Sequence, residues 1–94
     1  MKKLIFTSPS CAPCKILKQE LEELGYLQEY REIDVSDPTS AKIMGYCGIR
    51  SVPTLIVMND AEEIQRVRVG YTGNKASLLE FLEDVKQTEL ERRE

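Results

Sequence analysis

Residues 2–14, Lys2-Lys3-Leu4-Ile5-Phe6-Thr7-Ser8-Pro9-Ser10-Cys11-Ala12-Pro13-Cys14, decide how this chain is read. Leu4, Ile5 and Phe6 form a short apolar run that ends at Pro9, the pattern of a buried strand bounded by a turn. From Cys11 onward the apolar positions Cys14, Leu17, Leu21 and Leu24 recur at intervals of three, four and three. That spacing predicts a helix over Cys11–Leu24 with one buried face, and Gly25 stands where a left-handed residue would end it. Two cysteines three apart therefore sit at a strand-to-helix junction. The free N–H groups and the positive dipole end of a helix start stabilise a thiolate at Cys11. Cys14 lies one turn further in, within disulfide reach and less open to solvent. Pro13 has no N–H to lose from the first turn and stiffens the bend. An exposed, acidified thiol followed by a sheltered second thiol suits thiol–disulfide exchange.

The punctuation continues outward from this junction. Tyr30–Val35 alternates through Ile33 and Val35 and predicts a second strand. Asp37-Pro38 reads as an N-cap with proline in the first turn, opening a short helix toward Tyr46. Val52–Met58 is rich in β-branched residues and predicts a central strand; Asn59-Asp60 begins a turn, and Ile64–Val69 returns as the hairpin partner. After Gly70, Gly73 and Asn74, a final helix places Leu78, Leu79, Phe81, Leu82 and Val85 on one side. Glu89–Glu94 is nearly all charge and is expected to be a solvated last turn or a frayed tail. The order is β-α-β-α-β-β-α. A right-handed crossover makes the first two strands parallel, the hairpin adds two more, and helices cover both faces. The expected class is a small α/β sandwich with a four-stranded mixed sheet, built from residues 1–94 as one domain.

Composition excludes several functions. The chain has 94 residues, 41% hydrophobic and 31% charged, which is globular rather than disordered. Its formal net charge of -3 leaves no basic excess to neutralise nucleic-acid phosphates, so no nucleic-acid partner is expected. The longest apolar run, Leu55–Met58, cannot span a bilayer, and three apolar residues after Met1-Lys2-Lys3 are too few for an export signal. No membrane association is expected, and the chain is placed in the cytoplasm. Three cysteines and no histidine rule out Ser-His-Asp and Cys-His catalysis and His-ligated metals. A bare C-x-x-C is also half of many zinc sites; here a fourth ligand would have to come from a carboxylate or a second copy. An inert structural pair is the remaining alternative.

A strand, a C-x-x-C helix start and a later Ser51-Val52-Pro53-Thr54 before a strand together resemble the thioredoxin/glutaredoxin superfamily over nearly the whole chain. Residues 6–11 (FTSPSC) resemble glutaredoxins, whereas residues 46–57 (YCGIRSVPTLIV) and Gly70-Tyr71 look more like thioredoxins. The resemblance implies the thioredoxin fold, a cis peptide before Pro53 and a loop beside the sulfurs in which Val52 pairs its backbone with an extended substrate. It implies Cys11 and Cys14 as the catalytic pair, Val52 and Pro53 as substrate-binding residues, and no cofactor or metal. Partners so implied are disulfide-containing proteins, ribonucleotide reductase among them, with thioredoxin reductase or glutathione as electron source; a monomer is expected.

The departures matter too. Ser10 stands where thioredoxins have tryptophan, and Ala12 where they have glycine. Gly70-Tyr71-Thr72-Gly73 does not match the glutathione-holding segment of glutaredoxins. The aspartate that thioredoxins keep beneath the second cysteine has no counterpart, which leaves the proton acceptor for Cys14 unassigned. The function expected is reduction of protein disulfides through the Cys11-Ala12-Pro13-Cys14 pair. The alternatives are a glutathione-dependent glutaredoxin and a non-catalytic partner-binding module of the same fold. Cys47 reads as a half-buried thiol or a regulatory one, Lys15 and Lys18 as solvated helix positions with Lys15 near enough to favour a Cys11 thiolate, and Tyr71 as either a core residue or a flank of the site.

Overall fold

A computed structural model of the chain describes residues 1–91. The apolar run at the N-terminus forms β1 (Lys2–Thr7), and the cysteine-bearing segment forms α1 (Ala12–Glu23). Next come β2 (Arg31–Asp34), α2 (Ala41–Cys47), β3 (Thr54–Met58), β4 (Ile64–Val69) and α3 (Lys75–Glu91). The four strands form one sheet in the order β2-β1-β3-β4. β1 and β2 are parallel, with Ile5 opposite Glu32 and Phe6 opposite Ile33, while β3 runs antiparallel to both β1 and β4.

Alternation along β1 explains the layering. Ile5 faces one side, where Leu17 and Leu21 of α1 and Leu78, Leu82 and Val85 of α3 close a core with Leu55, Val57 and Tyr71. Leu4 and Phe6 face the other side with Ile33, Ile56 and Met58, covered by Ile43 and Met44 of α2. A strand flanked by helices on both faces must be apolar on both, and this is why Leu4, Ile5 and Phe6 run consecutively. Phe6 is wholly buried, and truncating such a residue to alanine costs about 3–5 kcal/mol. At the end of α1, Gly25 adopts φ +81°, a left-handed conformation that glycine reaches without strain.

Several expected boundaries shift for local reasons. β3 starts at Thr54 rather than Val52, because Pro53 has no N–H to give to a ladder. Asp37 does cap a helical segment, its carboxylate accepting from Thr39 N, but that segment is a 3-10 turn over Pro38–Ser40 preceding α2. The hairpin closes through Asn59, whose side-chain oxygen accepts from the N–H groups of Ala61 and Glu63.

As far as Glu91 the charged C-terminal stretch is the last turn of α3, the first of the two expectations, with Leu90 and Glu91 exposed and Glu89 drawn partly inward. Glu89 belongs to α3, and its carboxylate binds Lys3 at 3.2 Å. Lys3 also binds Glu29 at 2.7 Å, and its side chain is only 6% exposed. Arg92, Arg93 and Glu94 lie outside the described residues.

Candidate redox site

The end of β1, the start of α1, the approach to β3 and the end of β4 lie at one end of the sheet, where Phe6 pairs with Thr54 and Thr54 with Val69. Cys11 is the N-cap of α1, with extended backbone angles (φ −90°, ψ 105°). Its Sγ accepts a hydrogen bond from Cys14 N at 3.1 Å, the contact that a capping oxygen makes in most helices. Pro13 falls within the first turn, where no intrahelical donor is lost. Cys11 and Cys14 are joined as a disulfide, with Cα atoms 5.2 Å apart. Their environments differ: Cys11 is partly exposed, whereas Cys14 is 1% exposed on the inner face of the helix.

The loop before β3 lies at the same end of the sheet, since Thr54 pairs with Phe6 near the end of β1. The Val52–Pro53 peptide is cis, as the resemblance implied. The Pro53 carbonyl accepts from Gly70 N at 2.8 Å, tying the end of β4 to this loop, and the Thr54 hydroxyl donates to the Ser51 carbonyl at 2.8 Å. Val52 is half-buried against the α2-side core and stands outside every strand. Among the described residues, neither its N–H nor its C=O takes part in a hydrogen bond. A chain segment with a free donor and acceptor can add an extended peptide.

Three other side chains of interest resolve differently. Cys47 is the last residue of α2, packs beside Ile49 and Val52, and has its thiol pKa pushed up by burial. Tyr71 is a core residue, buried with Leu17 and Leu78. Lys18 is not a plainly solvated position: it binds Glu32 of β2 at 2.9 Å. Thr7 donates its hydroxyl to the same Glu32 oxygen at 2.7 Å. Both contacts hold the Glu32 carboxyl below its ordinary range, the Lys18 hydrogen bond contributing most. This polar cluster lines a groove with Cys14 and went unnoticed in the sequence. The signal available was weak: Cys14 and Lys18 are four apart on α1, and Glu32 sits two residues before the end of β2.

Comparison with known proteins agrees with this geometry. A protein-family model described as Glutaredoxin matches residues 4–62. Thioredoxin from Bacillus subtilis (strain 168) is 35% identical over 75 residues, covering 76% of this chain and 69% of that protein. The chain belongs to the thioredoxin/glutaredoxin superfamily. Thioredoxin 1 from Synechococcus elongatus is 27% identical over 64 residues, covering 66% of this chain and 60% of its own length. Among solved structures, thioredoxin from Trypanosoma brucei brucei superposes with a TM-score of 0.69 at 21% identity, over 92% of this chain and 74% of that one. The oxidized form of mitochondrial thioredoxin 3 from Saccharomyces cerevisiae gives 0.65 at 24% identity, over 87% and 76%.

Family membership and a Cys11–Cys14 pair at disulfide distance make this protein a dithiol–disulfide oxidoreductase of the thioredoxin/glutaredoxin type. Both halves of the superfamily are represented in the matches, consistent with the mixed character of its motifs. Among the described residues, no helix is long and apolar enough to cross a membrane.

Proposed function

We propose that Cys11 is the attacking thiol and Cys14 the resolving thiol in the reduction of disulfides in other proteins. The observation that carries this is the asymmetry of the pair: Cys11 Sγ caps α1 on a partly exposed residue, while Cys14 is buried. A thiolate at Cys11 gains a donor N–H and the positive end of the helix; one at Cys14 gains neither exposure nor a cap. In the first step the Cys11 thiolate attacks one sulfur of the target, forming a mixed disulfide and expelling the other sulfur as a thiolate. In the second, Cys14 loses its proton and attacks Cys11, releasing the second target sulfur and closing the Cys11–Cys14 disulfide. Val52 pairs through its free backbone groups with the extended segment around the target cysteine, and Pro53 shapes that loop.

The proposal extends to a single domain acting as a monomer in the reducing cytoplasm. Its electrons come from a flavoprotein of the thioredoxin-reductase type, and ribonucleotide reductase is among its protein substrates. The departure of Gly70–Gly73 from the glutathione-holding pattern supports the choice of electron source. A second reading, reduction by glutathione, is favoured by the glutaredoxin-type match over residues 4–62. Insulin-disulfide reduction, run once with NADPH and thioredoxin reductase and once with glutathione, separates the two. Turnover with the reductase alone is expected; turnover with glutathione alone would favour the second reading, and none with either would remove both.

A further inference from the structure

The second step needs somewhere for a proton to go. Cys14 attacks as a thiolate, yet a free thiol titrates near 8.5 and burial disfavours its charged form. At 1% exposure, Cys14 has almost no contact with bulk solvent. It does line a groove of about 390 Å³ between α1 and the edge of β2, together with Thr7, Lys15, Lys18, Glu32 and Asp34. A groove of that size and polarity has room for several waters.

The charged groups facing this groove are few, and only two can accept a proton. Lys15 and Lys18 come from α1, Glu32 and Asp34 from β2, and β1 contributes the neutral hydroxyl of Thr7. Asp34 is held by its own turn, its Oδ1 accepting from Ser36 N at 2.9 Å and from the Ser36 hydroxyl at 2.7 Å, and its Oδ2, like Glu32 Oε1, meets no partner among the described residues. Glu32 differs in what holds it, its donors coming from α1 and β1 rather than from its own turn. Thr7 and Lys18 both donate to its Oε2, and among the described residues nothing engages its Oε1. The register places Glu32 opposite Ile5, on the same face of the sheet as α1. Lys18 is one turn beyond Cys14, and side chains four apart on a helix are neighbours. Glu32 is thus fixed by one oxygen and open by the other, in the groove that Cys14 lines.

We propose that Glu32 accepts, through groove water, the proton that Cys14 releases as it attacks the mixed disulfide. This rests on Cys14 being the resolving thiol. The Cys14 S–H proton passes to water and on to Glu32 Oε1, while the sulfur lone pair forms the bond to Cys11 Sγ. The bond between Cys11 and the target sulfur breaks, and the target leaves as a thiolate with that electron pair. Glu32 then returns its proton to solvent through the open mouth of the groove. Because Lys18 and Thr7 hold its pKa down, the carboxylate is ionised across the neutral range and ready to accept at each turnover. When a reductase reopens the disulfide, the same route returns a proton to Cys14.

Reaction of the reduced protein with 5,5′-dithiobis(2-nitrobenzoate), followed at the thionitrobenzoate absorbance, separates the two steps when every form tested, the otherwise unaltered protein included, carries Cys47→Ser, so that no third thiol contributes. The first thionitrobenzoate reports attack by Cys11 and the second reports resolution by Cys14. For the unaltered protein the second release is expected to be nearly independent of pH across the neutral range. For Glu32→Gln it should slow by about tenfold or more at pH 6.5, and then rise by about tenfold per pH unit as hydroxide takes over. The first release should be unchanged. Lys18→Met, which keeps the carboxylate but removes its cation, should move the acidic limb of the profile upward toward the ordinary glutamate value. Asp34→Asn should leave both releases as they are. A flat profile and undiminished rate in Glu32→Gln, or the same loss in Asp34→Asn, overturns the assignment. Failure of the second release in the unaltered protein would instead overturn the resolving role of Cys14 and take this proposal with it.

Discussion

Two helix ends in this molecule carry sulfur, and they are opposites. At the start of α1, Cys11 is partly exposed and its Sγ accepts the Cys14 N–H, so negative charge there meets a donor and the positive end of a dipole. At the end of α2, Cys47 packs beside Ile49 and Val52, and burial pushes its thiol up. The carbonyl end of a helix also disfavours an anion. One residue type thus has two chemistries, set by which end of a helix presents it. Gly48 follows Cys47 with φ +66° and its N–H bonds the carbonyl of Gly45, so the backbone there is already satisfied without the sulfur. At Cys11 the sulfur itself does the capping.

The largest expected effect separates the two ends by function. Cys14→Ser should lower turnover in insulin-disulfide reduction by about a hundredfold or more while accumulating mixed disulfides at Cys11, visible on non-reducing gels. Cys47→Ser should stay within about twofold of the unaltered protein, as a substitution outside the reacting set does. Partner trapping by Cys11→Ser and not by Cys14→Ser would reverse the assigned roles.

A second effect concerns the loop before β3. If Val52 pairs with substrate, its amide should exchange with deuterium about tenfold more slowly once a target peptide is trapped on the Cys14→Ser variant. The amide of Ile49, bonded to the Met44 carbonyl near Cys47, should not change. Equal exchange at Val52 with and without peptide would remove its binding role.

Smaller still is the influence of Lys15, exposed on the first turns of α1. Lys15→Glu should slow alkylation of Cys11 at pH 7 by about two- to threefold at low salt, and less at 0.5 M salt, because exposed charges are screened. Cys47 alkylation should be indifferent to it.

The smallest effect is on stability. Since the Cys47 pKa is raised in the folded state, its contribution is fully present below the pKa of the unfolded thiol and is lost as pH rises through the folded value. Cys47→Ser should therefore remove a slight alkaline decline in melting temperature between about pH 8 and 10. A decline unchanged in the variant would mean that Cys47 does not supply it.

The contrast also explains what was legible in the sequence. Cys11 was readable because its surroundings are local: a strand end, a proline, and a helix whose period runs through Leu17 and Leu21. The order of elements along the chain followed from short apolar runs, the parallel first pair from the crossover rule, and the hairpin from Asn59. Features that depend on two distant segments meeting were not readable. Nothing in the sequence marks Lys3, yet its side chain lies nearly buried between Glu29 and Glu89, which are 60 residues apart in the chain. Glu89 lies in the last turn of α3, as one of the two expectations had it, and what the sequence did not show is that this turn reaches back to Lys3. Burial works against the charge on Lys3, but the hydrogen bonds and proximity of both carboxylates outweigh it and raise its pKa. Glu32 escaped for a similar reason, since only the parallel register of β2 against β1 puts it under α1 beside Lys18.

The central claim is that position at a helix start, rather than mere presence of a thiol, makes Cys11 the reactive sulfur. It is tested most directly by alkylating the fully reduced protein with iodoacetamide across pH 5–10 and reading each cysteine separately by peptide mass spectrometry. The account predicts that Cys11 titrates below the roughly 8.5 of a free thiol, that Cys47 titrates above it, and that Cys14 reacts far more slowly than Cys11 at every pH. Cys11 titrating at or above that reference, or together with Cys47, would contradict it.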